Sequence, residues 1–228
     1  MDKPIAFPEY EQLSRLRANP ASSSPANLPA VEESQAAGDV AHLYDQFRSR
    51  FGRQDVPGIL KCFATHPPLL QAMMDIAASL LFADGQLVRR DKEMLATFVS
   101  SQNSCSYCAD SHGYFFRVHG GDTRTLSAIQ QNQLSSPTLS SAEQSLLQFA
   151  EKVNRSSHWI TRADVETLIQ NGWTEPQIAE AIHIVALFAT FNRVANAFGL
   201  PSQGLLALFE NDNSQHQSDT PIQPGGAP

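Results

Sequence analysis

The sequence is short of cysteine, of charged residues and of long apolar runs. Its 228 residues include only three cysteines, too few for the disulfide framework that holds small secreted domains together. Charged residues make up 17 % of the chain, which excludes a disordered polyelectrolyte. Apolar residues make up 42 %, which is enough for a sizeable core. These values predict a folded chain of one or two domains.

Positive charge is scarce as well. The 16 Lys and Arg residues are outnumbered by 23 Asp and Glu residues, so the formal net charge is −7. A protein that follows a phosphate backbone needs a basic face, and so does one that binds an anionic membrane surface through a polybasic segment. We therefore expect neither a nucleic acid nor a membrane as a partner.

The sequence also shows neither a targeting signal nor a membrane-spanning segment. Residues 1–10 contain no apolar core of a secretory signal peptide. The longest apolar stretch, 178–191, is interrupted by polar residues and is shorter than a bilayer requires, so we interpret it as a buried core helix. We expect a cytoplasmic protein, in which thiols stay reduced and a close cysteine pair serves catalysis or metal binding.

The distribution of proline predicts the domain boundaries. Eight of the 14 prolines fall in the segments 4–29 and 221–228, where the sequence is polar and has no period. Such segments bury too little apolar area to offset the entropy of ordering the backbone. The sequence therefore predicts a mobile N-terminal arm at 1–32, one compact domain at 33–210 and a disordered tail at 211–228.

Within the compact domain the helical period dominates, and alternating strand patterns with hairpin turns are missing. One apolar stripe at helical spacing consists of Val40, Leu43, Tyr44 and Phe47. Capping-box patterns, which mark helix starts, begin at Ser140, Thr161 and Thr174. The sequence predicts an all-α fold of about eight helices.

Two cysteines and a histidine form the most informative pattern. Asn103 and Ser104 are good N-cap residues, which would place the cysteines in the first turn of the following helix. Cys105, Cys108 and His112 then occupy positions i, i+3 and i+7, which lie on one helix face.

This set of side chains has the parts that a peroxide-reducing dithiol needs. A helix N-terminus stabilises a thiolate, a second thiol can trap the oxidised sulfur as a disulfide, and an imidazole can exchange a proton. Glu93 lies twelve residues before Cys105 on the preceding predicted helix, where its carboxylate could accept a proton.

The spacing of Glu93, Cys105, Cys108 and His112 resembles the active-site pattern of the AhpD-like alkylhydroperoxidases, in the carboxymuconolactone decarboxylase superfamily. The wider sequence is similar to the branch called peroxidase-related proteins. That similarity extends over residues 40–199 and includes the motifs Val-Pro-Gly-Ile-Leu at 56–60, His-Pro-Pro-Leu-Leu at 66–70 and Phe-Asn-Arg-Val-Ala-Asn-Ala-Phe-Gly at 191–199.

The resemblance implies an AhpD-like helical bundle with dithiol peroxidase activity. By the family pattern Cys108 attacks the hydroperoxide, Cys105 resolves the intermediate, and Glu93 and His112 form the proton relay. The resemblance implies no bound cofactor, a homo-oligomer (a trimer or hexamer), and an external dithiol reductant such as a protein-bound lipoyl group. Some members carry a further histidine between the cysteines. This sequence has Tyr107 there, and a phenol with a pKa near 10 is a poor base at neutral pH, so Tyr107 could donate a hydrogen bond but not replace an imidazole. Tyr107 is either a partly buried core aromatic or part of the peroxide pocket, and we assign it to the pocket.

Other interpretations of the same residues stay open. A zinc site could use the two cysteines, His112 and His119, although these groups would spread along two helical turns. A lactone decarboxylase, as in the other superfamily branch, would not need the cysteine pair. A non-enzymatic oligomeric redox sensor or interaction protein is the third alternative. We interpret Cys62 as buried and inert, and Asn192 and Asn196 as polar links between helices.

Overall fold

The computed structural model describes residues 26–210. Regular structure in this part of the chain is helical and contains no strand, which confirms the predicted all-α fold. The predicted tail, 211–228, and residues 1–25 of the predicted arm lie outside the described residues.

Nine α-helices follow one another between residues 39 and 198. They are α1 Asp39–Phe51, α2 Gly58–Phe63, α3 Pro67–Ala77, α4 Arg89–Gln102, α5 Ser106–Val118, α6 Thr123–Gln130, α7 Ser141–Ser156, α8 Arg162–Gln170 and α9 Glu175–Phe198. A π-helical turn, Ala78–Phe82, continues α3, and 3-10 turns occur at Glu33–Gln35 and Ser157–Trp159. A last helical segment occupies 205–210.

Reciprocal capping boxes begin three of these helices, as the sequence predicts. At the start of α7, Ser140 N donates to Glu143 Oε2 at 2.8 Å and Glu143 N donates to Ser140 Oγ at 3.2 Å. The corresponding boxes begin α8 at Thr161 and α9 at Thr174. Each box satisfies backbone N–H groups that a helix start leaves without an intrahelical acceptor.

Helix α4 lies in the centre of the domain and packs against α5, α6, α7 and α9. Nine consecutive residues, 92–100, are buried, so its polar side chains need partners inside the protein. Lys92 Nζ donates to the carbonyl oxygens of Leu80 at 2.9 Å and Ala83 at 3.1 Å, and it pairs with Glu180 Oε1 at 2.7 Å. These bonds join α4 to the π-helical turn and to α9.

Helix α9 is the longest helix described and closes the core against α4. By length and composition alone its 24 residues are apolar enough to cross a membrane, but half of its most apolar window is buried inside the domain. Ile184 and Phe188 are fully buried, and Asn192 makes polar contacts to α4. This burial agrees with the interpretation of the segment as a core helix.

The residues just before the first helical turn are bonded to the helical domain. Asn27 N donates to Phe198 O at 2.9 Å, and the Tyr44 hydroxyl donates to Val31 O at 2.7 Å. The predicted domain boundary at residue 33 therefore falls inside a bonded segment. Periodicity could not show this, because the segment is attached through backbone groups rather than through an apolar stripe.

Candidate active site

The two cysteines lie at the turn between α4 and α5. Ser104 has a left-handed backbone with φ +53°, and Cys105 N donates to Ser100 O at 2.9 Å, which closes the turn. Cys105 itself is the N-cap residue of α5, and Cys108 is the third residue of that helix. The N-cap prediction at Asn103 and Ser104 is therefore wrong, because Ser104 takes the turn conformation and leaves the extended cap position to Cys105.

Both sulfur atoms are reduced and buried. Cys105 is 1 % exposed and Cys108 is 3 % exposed, and neither is in a disulfide. They form a small cluster with Tyr107 and Ala195, apart from the main core.

The two neighbouring thiols differ in acidity, because each perturbs the pKa of the other. The pKa of Cys105 is lowered to about 7, although burial alone would raise it. The largest cause is the Cys108 thiol, and the N–H groups of Cys108 and Tyr107 and the Asn192 amide contribute less. Cys105 and burial raise the pKa of Cys108 far above its ordinary value. One proton therefore leaves the pair near neutral pH, and the resulting charge lies on Cys105.

Asn192 is held in one orientation beside the dithiol. Its Nδ2 donates to Ser100 Oγ at 2.9 Å, and its Oδ1 accepts from Asn103 Nδ2 at 3.0 Å, which fixes the direction of the amide. Asn196 Nδ2 donates to Asn103 O at 3.0 Å. Both asparagines thus link α9 to the end of α4, as predicted, whereas the influence of the Asn192 amide on the Cys105 pKa was not anticipated.

Glu93 and His112 form a hydrogen-bonded pair, although they lie on different helices. His112 Nδ1 is 2.6 Å from Glu93 Oε2, and Glu93 Oε1 accepts from Arg89 Nε, also at 2.6 Å. Burial alone would raise the pKa of Glu93, but the charges and hydrogen bonds of Arg89 and His112 lower it to about 2. The carboxylate is therefore ionised at neutral pH, and with Nδ1 bonded to it, the ring presents Nε2 for acid–base chemistry.

The sequence interpretation missed Arg89, which contacts the Glu93 carboxylate of the Glu93–His112 pair. It precedes Glu93 by four residues on α4, and its guanidinium lies over the ring of Phe82, 4.6 Å from the centroid. The i, i+4 spacing was the available signal.

Cys108 and His112 reach the same cavity, and so does Tyr107. The cavity has a volume of about 790 Å³ including its open mouth, and its walls are mostly apolar side chains of α1, α2, α3 and α5. Cys105 and Glu93 do not line it. The arrangement has two layers, with Cys108 and His112 facing the space and Cys105 and Glu93 directly behind them.

Tyr107 is nearly buried between the cavity and α2. Its hydroxyl oxygen accepts from Ile59 N at 3.3 Å, and burial raises the pKa of the phenol well above 10. Tyr107 is therefore neutral at physiological pH and can offer a hydrogen bond but no general base.

His119 lies apart from this site, and Cys62 lies near Cys108 but does not line the cavity. His119 is the C-cap residue of α5, at the opposite end of the helix from Cys105. Among the residues described, no three His, Cys, Asp or Glu side chains converge as a metal site would require. Cys62 is buried, and burial raises its pKa to about 12, so it is a thiol at neutral pH.

This fold and the paired cysteines define the chain as an AhpD-like protein. The model of the PA26 p53-induced protein (sestrin) family matches residues 25–223, and the chain belongs to that family. Sestrin-1 of Xenopus laevis is 27 % identical over 175 residues, which are 74 % of this chain and 34 % of that protein. The chain thus spans about a third of the length of that relative.

Solved structures share the fold. An uncharacterized peroxidase-related protein from Ralstonia eutropha JMP134, described as an alkylhydroperoxidase AhpD core, superposes with a TM-score of 0.69 at 25 % identity, over 79 % of this chain and 94 % of that chain. The debrominase Bmp8 in complex with 2,3,4-tribromopyrrole superposes with a TM-score of 0.65 at 17 % identity, over 83 % and 99 %. The second likeness is one of fold alone, and it shows that this fold carries more than one chemistry.

Proposed function

We propose that the chain is a thiol-dependent peroxidase that reduces organic hydroperoxides with the Cys105/Cys108 dithiol. One observation carries the proposal: Cys108 and His112 line the same cavity, while Cys105 is buried beside Cys108 in the same small cluster and does not line the cavity. A substrate in the cavity would meet a sulfur and an imidazole together, with the resolving sulfur already in place.

The first step transfers an oxygen atom to Cys108. The Cys108 proton moves to the neighbouring Cys105 thiolate, which leaves the negative charge on the sulfur that faces the cavity. This thiolate attacks the outer peroxide oxygen, so an S–O bond forms and the O–O bond breaks. The leaving alkoxide takes a proton from the His112 imidazolium and departs as an alcohol, and Cys108 becomes a sulfenic acid.

The second step forms the disulfide. Cys105, now a thiol, attacks the Cys108 sulfur, so the S–S bond forms and the S–O bond breaks. Hydroxide leaves with the Cys105 proton as water. An external dithiol, such as a protein-bound lipoyl group, then reduces the disulfide by thiol exchange, and its own two sulfurs are oxidised.

Glu93 and Arg89 act behind the reacting groups. Glu93 holds the His112 ring through Nδ1, and Arg89 keeps Glu93 ionised despite its complete burial. We assign Glu93 and Arg89 as positioning residues, Cys108, Cys105 and His112 as the catalytic residues, and Tyr107 as part of the pocket wall.

Mass spectrometry tests the proposal. One equivalent of an organic hydroperoxide should remove two hydrogens from the peptide that contains Cys105 and Cys108, while Cys62 stays reduced. Dihydrolipoamide should then restore the peptide and support continued peroxide consumption. An unchanged dithiol, or a change at Cys62 alone, would contradict the mechanism.

Two further assays separate the alternatives. A lactone decarboxylase would release CO2 from a muconolactone and would keep its activity after both thiols are alkylated. A redox sensor would form the disulfide but would not turn over repeatedly with a dithiol. The homo-oligomer, a trimer or hexamer, stays a prediction that light scattering tests at micromolar concentration.

A further inference from the structure

The cavity beside Cys108 is too small, in the form that the structure shows, for a bulky hydroperoxide or dithiol. The centre of a water-sized molecule can occupy only about 90 Å³ of it, whereas sites for organic ligands of drug size measure roughly 300–1,000 Å³. Cys108 itself is 3 % exposed. A molecule much larger than a few waters can therefore reach this sulfur only if part of the cavity wall moves.

Most of the wall belongs to the helical core. Side chains of α1, α2, α3, α5 and α9 form it, together with Leu81 and Phe82 of the π-helical turn. That turn is held by the buried Lys92, whose Nζ donates to the carbonyl oxygens of Leu80 and Ala83. Moving this part of the wall would break buried hydrogen bonds and core packing, which is costly.

The segment that follows α9 forms the remaining side of the cavity. Residues 200–210, which we call the strap, lie against α5 and contribute Gln203 and Leu205 to the wall. The backbone is left-handed at Gly199, with φ +75°, and at Gly204, with φ +69°. Glycine moves between regions of φ at little steric cost, so these two residues can serve as hinges for the strap.

Hydrogen bonds to α5 hold the strap in place. The Asp110 carboxylate accepts from Leu205 N at 3.0 Å and from Leu206 N at 3.1 Å. Gln203 Nε2 donates to Ser111 Oγ at 3.0 Å. Both partners on α5 belong to the helix that carries the attacking sulfur, so the strap is bonded directly beside the reacting end of the cavity.

Apolar packing also favours the closed position of the strap. Leu206 Cδ1 lies so close to α5 that a Cβ added at Gly113 would be 2.8 Å from it. Leu205 and Phe209 are buried, and the Phe209 ring packs edge-on against Tyr114 with the centroids 5.5 Å apart. Lifting the strap would expose these side chains to water, so the closed form predominates and an open form would be a minor state.

We propose that the strap is a lid over Cys108, which lifts about Gly199 and Gly204 to admit molecules larger than the closed cavity can hold. Asp110 keeps the lid closed, because its one carboxylate binds two backbone N–H groups of the strap. The inference concerns access to the cavity, so it goes beyond the proposed peroxidase function and does not depend on it.

Alkylation of Cys108 by two reagents of different size tests the lid. Cys62→Ser and Cys105→Ser leave Cys108 as the only cysteine, and mass spectrometry of the intact protein follows its reaction with iodoacetamide and with N-pyrenyl iodoacetamide. The two reagents share one reactive group, so a change in the ratio of their rates reports access rather than the acidity of the thiol. In Asp110→Ala the rate with the larger reagent should rise about tenfold relative to the smaller one, because two charge-assisted hydrogen bonds are lost.

Matched variants separate the lid from a general loss of stability. Gln203→Met removes one hydrogen bond of the strap and should give a smaller rise of the ratio. Asp122→Ala removes a carboxylate that likewise accepts two backbone N–H groups, those of Arg124 and Thr125, at the start of α6. Asp122 does not line the cavity, so this variant should keep the ratio of the protein with an intact strap.

A ratio that neither Asp110→Ala nor Gln203→Met changes would overturn the lid, and so would an equal rise in Asp122→Ala. If Asp110→Ala does not fold, Gln203→Met decides the question by the same ratio. These outcomes leave the peroxidase untouched, because the loss of two hydrogens from the peptide with Cys105 and Cys108 tests that function separately.

Discussion

Replacing Cys108 by alanine should move the ionisation of Cys105, although the substitution leaves Cys105 itself untouched. The largest cause of the lowered Cys105 pKa is the neighbouring Cys108 thiol. Alanine removes this thiol and leaves burial, which opposes the charge, as the dominant influence. The Cys105 pKa should therefore rise from about 7 to its ordinary value of 9.0 or above.

The change is large enough to measure easily. With a pKa of about 7, half of Cys105 is thiolate at pH 7, whereas a pKa of 9.0 leaves about 1 % as thiolate, a decrease of about fiftyfold. The far-ultraviolet absorbance of the thiolate, followed during a pH titration, reports this fraction directly and does not require a reagent to reach a buried sulfur.

Control variants show which sulfur gives the transition in thiolate absorbance near pH 7. Cys62→Ala should leave the transition near pH 7 in place, because Cys62 has a pKa of about 12 and is silent there. Cys105→Ala should abolish the transition. If the Cys105→Ala variant kept a transition near pH 7, the charge would belong to Cys108 and our reasoning about the pair would be refuted.

Three further predictions concern the groups around the dithiol. Asn192→Leu should raise the Cys105 pKa by less than Cys108→Ala does, because the amide is a smaller cause of the shift; the same titration measures it. Glu93→Gln should lower the free energy of unfolding by about 3 kcal/mol at pH 7, since the folded-state pKa is about 2 instead of 4.5. That stabilisation exists above about pH 4.5 and is lost as the pH falls towards 2, so urea unfolding curves of variant and wild type should converge on acidification. Lys92→Met should lower the free energy of unfolding in urea by about 1–3 kcal/mol, because the carbonyl oxygens of Leu80 and Ala83 lose their donor and Glu180 loses its ion pair. The double variant with Glu180→Leu should not recover this loss, since Glu180 also accepts from the N–H groups of Gln86 and Leu87.

The local relations within the site could be predicted from the sequence. Helical spacing predicts that Cys105, Cys108 and His112 share a face, because this relation depends only on the 3.6-residue period. The contact between Glu93 and His112 depends instead on the angle between α4 and α5. The left-handed conformation of Ser104 and the bond from Cys105 to Ser100 set that angle, and no spacing rule encodes them.

The non-local part of the site left only faint signals in the sequence. Asn192 is 92 residues from its partner Ser100, and its only trace is a polar residue within an apolar helix. The cavity beside Cys108 likewise arises only from the tertiary packing of α1, α2 and α3 against α5. The unequal acidity of the two thiols also depends on this packing, because it arises from their proximity and from burial.

The most direct test of the mechanism is to identify the sulfur that hydroperoxide oxidises first. In the Cys105→Ser variant the sulfenic acid cannot be resolved, and Cys108 has lost Cys105 as its proton acceptor, so with excess organic hydroperoxide dimedone should label Cys108 slowly, and peptide mass spectrometry should locate the label there. Label on Cys105 in the matched Cys108→Ser variant, with none on Cys108 in the first variant, would contradict the account.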